Sequence, residues 1–186
     1  MEIILIRHGK PSSADSPALN ASEYTQWVRQ YNFSGVSQKS RPDTINKKLK
    51  SYYLVSSHFN RAIESAEIYT GRSPDKISTL FKEMDIPRYK LPFKFKAMTW
   101  VYLCRVLWML GLKGQFESYA SARERAEMAA EQLIELSQQN GDLVLFGHGY
   151  MNLHIRRSLR KKGWRINSKS NDFWGLSSLT LELNNN

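Results

Sequence analysis

Short, uninterrupted apolar runs alternate with longer helical segments along this chain. The first run, "IILI", is β-branched, and a later run, "LVLF", has the same apolar character. Runs of this length are typical of strands buried on both faces, and the helical segments between them are the connections that parallel strands require. The alternation therefore predicts an α/β fold with helices on both faces of a mostly parallel sheet. The predicted strands are Glu2–Ile6, Tyr52–Ser56, Ile77–Phe81, Asp142–Phe146 and Ser178–Leu183.

Helices are predicted where a polar capping residue precedes a helical stretch or a glycine follows one. Ser22, Asp43 and Asn60 are suitable N-cap residues, and Ser121 opens the capping-box pattern "SARE". Gly71 suits the C-terminal end of the helix that follows Asn60. The predicted helices are Ser22–Tyr31, Asp43–Lys50, residues 61–71, Ala97–Leu112, Ser121–Gln139 and residues 149–161.

The length and composition limit the class of protein. The 186 residues contain no internal repeat and no linker, so we expect a single domain over residues 1–186. One cysteine, Cys104, excludes an internal disulfide and a cysteine-rich metal site. The chain shows no signal-peptide pattern and no apolar run long enough to span a membrane, so we expect a cytoplasmic protein. The net charge of +10 predicts an anionic ligand or partner.

Polar residues follow the predicted strands at the points where parallel strands meet one edge of a sheet. Ligands of open α/β sheets bind beyond this edge, at the carboxyl ends of the strands. Two histidines, two arginines and at least one acid converge there, and this convergence predicts an active site. The residues are Arg7, His8 and Gly9 after the first strand, Arg61 after the second, Glu83 and Asp85 after the third, and Gly147, His148 and Gly149 after the fourth.

This combination of side chains suits the transfer of a phosphoryl group. Two arginines can bind a dianionic phosphate through forked donors, and their charge keeps a neighbouring histidine neutral and nucleophilic. That histidine can carry the phosphoryl group covalently, while a second histidine stabilises charge and a carboxyl group protonates the leaving alkoxide. Because fixed cationic donors supply the electrostatic stabilisation, the residues require neither a metal nor a cofactor.

The motifs and their order resemble those of the histidine phosphatase superfamily, also called phosphoglycerate mutase-like. They are "RHG", "SSHFNRAIESA", "KEMD" and a late "HG", and they extend from residue 3 to about residue 159. The resemblance implies a three-layer α/β/α sandwich and a metal-independent phosphatase that hydrolyses a phosphate monoester or a protein phosphohistidine. It implies that His8 is the phosphorylated nucleophile and Glu83 the proton donor, with Asp85 as the alternative donor. The implied phosphate-binding residues are Arg7, Arg61 and His148, with Gly9 and Lys10 beside them.

Three positions depart from the mutase branch of that family. Lys10 follows "RHG" where mutases carry Glu or Gln, Ala14 stands at the position of an Asn, and Gln38 replaces an Asp. These departures favour a phosphatase over a phosphoglycerate-type mutase. Lys10 is expected to add a cation at the mouth of the pocket.

A long apolar and aromatic insertion, at about residues 84–117, separates the acid from the clearest predicted helix. The resemblance implies a lid that sets substrate choice. The alternatives are a segment that completes the core, the wall of an apolar substrate pocket, or the interface of a homodimer. His58 and His154 are expected at the pocket rim or the surface, Cys104 as a packed thiol, and the basic run "RRSLRKKGWR" as a solvated face.

Two other functional classes are consistent with parts of the sequence. A binding module would hold a phosphorylated partner in the same pocket without turnover, but it would need neither a nucleophile nor an acid. A nucleic-acid-binding protein is suggested by the charge alone, since the aromatic residues lie mostly in an apolar stretch rather than on a basic stacking surface. We therefore expect a small phosphorylated substrate or a phosphoprotein, and no nucleic acid.

Overall fold

A six-stranded sheet forms the centre of the computed structural model, which describes residues 1–182. The strands are, in chain order, β1 (Glu2–Arg7), β2 (Ala18–Leu19), β3 (Tyr53–Ser57), β4 (Lys76–Ser78), β5 (Phe95–Lys96), β6 (Leu143–Gly147), β7 (Arg165–Ser168) and β8 (Leu176–Thr180). The central sheet has the spatial order β4-β3-β6-β1-β8-β7, and β2 pairs separately with β5. The first four strands of that order are parallel, whereas β8 is antiparallel to both of its neighbours. The predicted mostly parallel sheet is confirmed.

Helices cover both faces of this sheet. They are α1 (Ala21–Phe33), α2 (Asn60–Thr70), α3 (Ala97–Met109), α4 (Tyr119–Asn140) and α5 (Gly149–Lys161), with 3-10 turns at Lys47–Ser51 and Thr79–Phe81. Successive side chains of a strand point to opposite faces. Accordingly Ile3 and Leu5 join one core cluster with α4 and α5, while Ile4 and Ile6 join another with α2. The predicted α/β fold with three layers is confirmed.

Helix α3 packs against α1 in a third apolar cluster. Trp100 stacks on Tyr24 with ring centroids 5.2 Å apart, and its indole Nε1 donates to the Leu19 carbonyl oxygen at 2.7 Å. Trp108, two turns further along α3, is buried in the cluster that contains α4 and α5. One face of the insertion therefore contributes to the core. Within residues 1–182, no helix has both the length and the apolar character needed to cross a membrane.

The predicted helix starts need correction. An N-cap residue directly precedes the first helical residue. In three elements, a different polar residue from the predicted one occupies that position. The observed caps are Asn20 for α1, Asn46 for the first 3-10 turn and Ser118 for α4. The predictions of Ser22, Asp43 and Ser121 were therefore wrong. Asn60 is the first residue of α2, and Phe59 precedes it without a side-chain hydrogen bond.

Several element boundaries also differ from the predictions. The predicted helix Asp43–Lys50 is reduced to a single 3-10 turn, and β4 is shorter than predicted because a second 3-10 turn follows it. β7 was not predicted, since its sequence "RINS" has one apolar residue and its first residue, Arg165, ends the basic run. The predicted strand Ser178–Leu183 overlaps β8, and its last residue lies outside the described residues. Gly71 does end α2, with a left-handed φ of 76°.

Candidate active site

His8 lies directly after β1, between the two strands that flank it in the sheet. Its side chain is 1% exposed, and its backbone N–H donates to the Gly147 carbonyl oxygen at 3.0 Å. The ring Nδ1 is 2.7 Å from the Gly9 carbonyl oxygen, which can only accept, so Nδ1 carries the hydrogen. The lone pair of Nε2 is then free to accept, and Arg61 Nε donates to it at 3.2 Å. This tautomer is the one that a nucleophilic Nε2 requires.

The surroundings of His8 keep its imidazole neutral. Burial lowers its pKa well below the ordinary value, and the positive charges of Arg61 and Arg7 lower the pKa further. A neutral ring retains the lone pair that attack on phosphorus needs. Burial and cationic neighbours therefore act together to preserve the nucleophile.

His148 is the N-cap of α5 and faces His8 across the end of the sheet. The two rings meet edge to face, with centroids 5.0 Å apart. His148 Nε2 lies 2.8 Å from Ser57 Oγ, which also accepts a 3.4 Å hydrogen bond from the Phe59 N–H. The Ser57 hydroxyl can give its hydrogen to Nε2, and in that tautomer the ring hydrogen of His148 lies on Nδ1. Burial first, then Arg61 and His8, lowers the pKa of His148 well below its ordinary value.

Arg61 is a fully buried cation in the first turn of α2. Its Nη1 donates to the Tyr31 and Asn32 carbonyl oxygens, each at 3.1 Å, and its guanidinium lies 4.6 Å from the Phe59 ring centroid. Among the described residues, no carboxylate lies within salt-bridge distance of Arg61, and its Nη2 has no hydrogen-bond partner. Buried charges in proteins are normally paired. The arrangement is therefore suited to binding an anion.

Arg7 reaches the same region from the end of β1. Its Nη1 donates to the Asn171 carbonyl oxygen at 2.7 Å, and its guanidinium carbon lies 3.9 Å from the Phe173 ring centroid. Its Nε is buried without a hydrogen-bond partner among residues 1–182. Gly149 permits this placement, because a Cβ there would lie 3.1 Å from Arg7 Nε. Gly9 is needed for a related reason, since a Cβ there would lie 2.3 Å from the Trp174 indole.

The two candidate acids have different surroundings. Glu83 accepts hydrogen bonds from the backbone N–H groups of Met151 at 2.8 Å and Tyr150 at 3.3 Å, so it lies at the N-terminus of α5 beside His148. Asp85 instead accepts from the Glu117 N–H at 2.9 Å and joins the two ends of the insertion. Glu83 lines the cleft described below, whereas Asp85 does not. The geometry favours Glu83 as the acid that meets a ligand.

A cleft of about 620 Å³ opens beside these residues. Arg7, Glu83 and Gly149 line one end, Lys10 is exposed at its edge, and residues of α3 form one wall. His8, Arg61 and His148 lie behind this end rather than in the wall itself. Phe173 is also a lining residue of the cleft, and its ring centroid lies 5.8 Å from that of His8.

Several residues near the site were not assigned a role from the sequence. Ser57 is a buried polar residue at a strand end, which is a signal that could have identified it. Phe173 and Asn171 come from the loop between β7 and β8, which no motif or periodicity marks. Arg156 positions that loop by donating to Asn171 Oδ1 at 3.1 Å and to Ser177 Oγ at 2.9 Å.

The secondary predictions are partly corrected. Arg156 belongs to the basic run that was predicted to be solvated, but it is buried. His154 was placed at the surface or pocket rim, but it is buried against Tyr119 and Tyr150, which lowers its pKa to about 4. Cys104 is buried as predicted, and burial raises the pKa of its thiol. His58 is partly buried beside Phe59.

Comparison with known proteins identifies the fold. No protein-family model and no curated protein sequence matches the chain. Solved structures do match it along almost its whole length. The alpha-ribazole phosphatase from Shigella flexneri is 18% identical, with a TM-score of 0.55 over 98% of this chain and 91% of that chain. The chain has the phosphoglycerate mutase-like fold.

Two further solved structures with this fold agree. A mutant of the phosphoserine phosphatase from Entamoeba histolytica, in complex with phosphoserine, is 15% identical with a TM-score of 0.54. The matched region covers 95% of this chain and 89% of that phosphatase. The ecdysone phosphate phosphatase from Bombix mori, in complex with tungstate, is 12% identical with a TM-score of 0.54 over 95% of this chain and 88% of that chain. The fold that the sequence resemblance implied is confirmed.

In this phosphoglycerate mutase-like fold, the predicted residues meet at the carboxyl edge of the sheet. His8, Arg61 and His148 form a buried group, with Arg7 and Glu83 between it and the cleft. Asp85 is the predicted acid that the structure leaves outside this group. Two buried neutral histidines and two arginines with unused donor capacity form a site suited to an oxyanion.

Proposed function

We propose that this protein is a phosphatase that hydrolyses phosphate monoesters through a phosphohistidine intermediate on His8. The observation that carries the proposal is the buried Arg61 cation, which has no carboxylate partner among the described residues and lies against the nucleophilic nitrogen of His8. A phosphoryl group would supply the missing negative charge. Solved structures with the same fold that are phosphatases, including one with bound tungstate, support the proposal.

Binding of the substrate phosphate would rearrange one hydrogen bond. In the structure, Arg61 Nε occupies the Nε2 lone pair of His8, which must be free before it can attack phosphorus. A phosphate oxygen competes for the same guanidinium, because its negative charge attracts the cation more strongly than the neutral imidazole does. Arrival of the substrate therefore frees the nucleophile as it engages Arg61.

The first chemical step transfers the phosphoryl group to the enzyme. His8 Nε2 forms a bond to phosphorus while the bond from phosphorus to the ester oxygen breaks. Arg7, Arg61 and the Nδ1–H of His148 hold the three other phosphate oxygens as charge develops on them. Glu83 gives its proton to the leaving alkoxide, which departs as an alcohol.

The second step hydrolyses the intermediate. Glu83, now a carboxylate, takes a proton from a water molecule whose oxygen attacks phosphorus on the face that the alcohol has left. The bond from His8 Nε2 to phosphorus breaks, and the lone pair returns to the imidazole. Inorganic phosphate leaves, and Glu83 holds the proton for the next cycle.

Access to His8 requires movement of one side chain. Phe173 lines the cleft beside Arg7 and His8, and it lies on a loop rather than on a strand or helix. Rotation of its ring away from Arg7 would join the cleft to His8. The proposal therefore includes an open form of this loop in the substrate complex.

Phosphate release from 4-nitrophenyl phosphate tests the function. We expect turnover by the wild-type enzyme and a loss of at least about 1,000-fold in His8→Ala, as follows from removing a covalent nucleophile. Because the fixed donors supply the electrostatic stabilisation, EDTA is expected to leave the rate unchanged. The same rate in His8→Ala as in the wild type would refute the proposal. Phosphate-dependent binding without turnover of any ester would favour a binding module.

Homodimerisation through the insertion stays a separate prediction.

A further inference from the structure

Helix α3 has two apolar faces, and only one of them packs into the core. The core face repeats at intervals of three and four residues and consists of Ala97, Trp100, Cys104 and Trp108. The second face has the same spacing and lines the cleft. It consists of Met98, Val101, Tyr102, Arg105, Val106 and Met109. A helix that is apolar on nearly all sides is normally buried on all sides. Packing within this chain therefore does not explain why the second face of α3 is apolar.

The second face is open to solvent within the described part of the chain. Tyr102 is 67% exposed, Val106 48% and Met109 42%. Side chains of this kind, aligned on one helix, form a continuous apolar surface rather than isolated exposed residues. Burying such a surface against a ligand is favourable in proportion to the apolar area removed from water.

The cleft connects this surface to the proposed catalytic residues. Arg7, Glu83 and Gly149 line the end next to His8, and Ile86, Trp27 and Leu153 add further apolar lining. The volume of about 620 Å³ lies within the range of about 300–1,000 Å³ that is usual for small-molecule sites. An ester whose phosphate reaches Arg7 would have its organic group in contact with α3.

Arg105 is the single charged residue of this face, and its surroundings reduce its polarity. Its guanidinium lies 4.1 Å from the Tyr150 ring centroid and 5.6 Å from that of Trp108. It also donates to the Met84 carbonyl oxygen at 3.3 Å. A guanidinium is weakly hydrated and stacks on aromatic rings, so Arg105 continues the wall instead of interrupting it.

We propose that this cleft binds a bulky apolar group of the substrate, so that the enzyme prefers phosphate monoesters of long alkyl or large aryl alcohols. The inference rests on the proposed phosphatase function and adds the class of alcohol. Phosphate contacts hold one end of the substrate at Arg7, while the α3 face selects the other end by its apolar area.

A series of n-alkyl phosphates from ethyl to octyl, below their micelle concentrations, measures this preference. Released inorganic phosphate gives kcat/KM for each ester. We expect kcat/KM to rise by about threefold to fourfold for each methylene that enters the cleft, the factor for burying one methylene group. Turnover of 4-nitrophenyl phosphate with no dependence on chain length would overturn the inference and leave the phosphatase function standing. No turnover of any ester would instead refute the function.

A substitution in the wall tests whether α3 is responsible. Val106→Gln, at a half-exposed helical position, should lower the ratio of octyl to ethyl kcat/KM by about tenfold, because it places an amide against the chain. Leu110→Gln is the matched control, since Leu110 is 74% exposed next to the same helix but does not line the cleft. This control should retain the wild-type ratio. An equal loss for both esters in Val106→Gln would overturn the inference.

The second face of α3 could instead contact a second copy of the chain. Light scattering, which measures the molar mass in solution, distinguishes this alternative from substrate binding. A monomer with a steep chain-length dependence supports the inference. A dimer that Val106→Gln dissociates, without any effect on the chain-length dependence, would identify the face as a subunit interface and overturn it.

Discussion

Inorganic phosphate is expected to stabilise the folded protein, and Arg61→Met is expected to remove about half or more of that stabilisation. Three buried nitrogen atoms of the site have no hydrogen-bond partner among the described residues, namely Arg7 Nε, Arg61 Nη2 and His148 Nδ1, and each is a candidate donor to phosphate. Hydrogen bonds to a charged group contribute about 1.5–3 kcal/mol each, so three of them sum to about 4.5–9 kcal/mol. A free energy in this range corresponds to a Kd between about millimolar and submicromolar. The prediction therefore concerns a readily accessible range of phosphate concentration.

The expected magnitude follows from linkage. Phosphate at about 100 times its Kd adds about 2.7 kcal/mol to the free energy of unfolding. For a chain of this length each kcal/mol raises Tm by about 2–4 °C, so the total shift is about 5–11 °C. Removing one charged donor weakens binding by about 10-fold to 150-fold, which leaves about 1.3 kcal/mol or less at the same phosphate concentration.

Differential scanning calorimetry in phosphate and in sodium chloride of equal ionic strength measures this effect. Arg157→Met is the matched control, because Arg157 is exposed and its loss changes the net charge by the same amount. The control should keep the full phosphate shift. An Arg61→Met variant with the wild-type phosphate shift would refute the assignment of Arg61 to the anion site. The absence of any shift in the wild type would refute the site itself.

Three further predictions follow from particular contacts. Ser57→Ala should lower kcat by about tenfold with a smaller change in KM, because it removes the hydrogen bond, of about 1.5 kcal/mol, that orients His148. Unchanged steady-state kinetics would show that Ser57 does not position the ring. Glu83→Gln should lower kcat by about 100-fold or more, while Asp85→Asn, which keeps an acceptor for the Glu117 N–H, should change kcat less than about twofold. The reverse order would exchange the roles of the two acids. Because the pKa of His8, His148 and His154 is lower in the folded than in the unfolded chain, the free energy of unfolding should fall as the pH drops below about 6.5, down to about pH 4 for His154. Urea denaturation between pH 8 and pH 5 measures this fall, which His154→Gln should reduce, and a midpoint independent of pH would contradict it.

Much of the fold was predictable because the apolar runs are unambiguous. "IILI" and "LVLF" have no polar interruption, so their burial and their parallel pairing follow from the pattern. Helix starts were less predictable, since polar residues such as Asn20 and Ser22 lie close together and only the backbone geometry decides which one caps. β7 escaped prediction because its short edge sequence "RINS" contains a single apolar residue, Ile166, and therefore has no apolar run or alternation.

The site was predictable where the residues directly follow strands. Arg7, His8 and His148 are fixed within one residue of β1 or β6, so the sheet register alone brings them together. The choice between Glu83 and Asp85, which the sequence left open, depends on where a loop turns, and no periodicity records that. The position of Phe173 was the least predictable from the sequence. It lies beside His8 because Arg156, on helix α5, holds the loop that carries it.

Trapping the phosphoenzyme tests the central claim most directly. Rapid quenching during turnover of a 32P-labelled ester, followed by peptide mapping, should recover label on the peptide that contains His8. The bond should be labile to acid and stable to alkali, as expected for phosphorus bound to an imidazole nitrogen, and His8→Ala should carry no label. Label on another residue, or full turnover with no covalent intermediate at any quench time, would contradict the account.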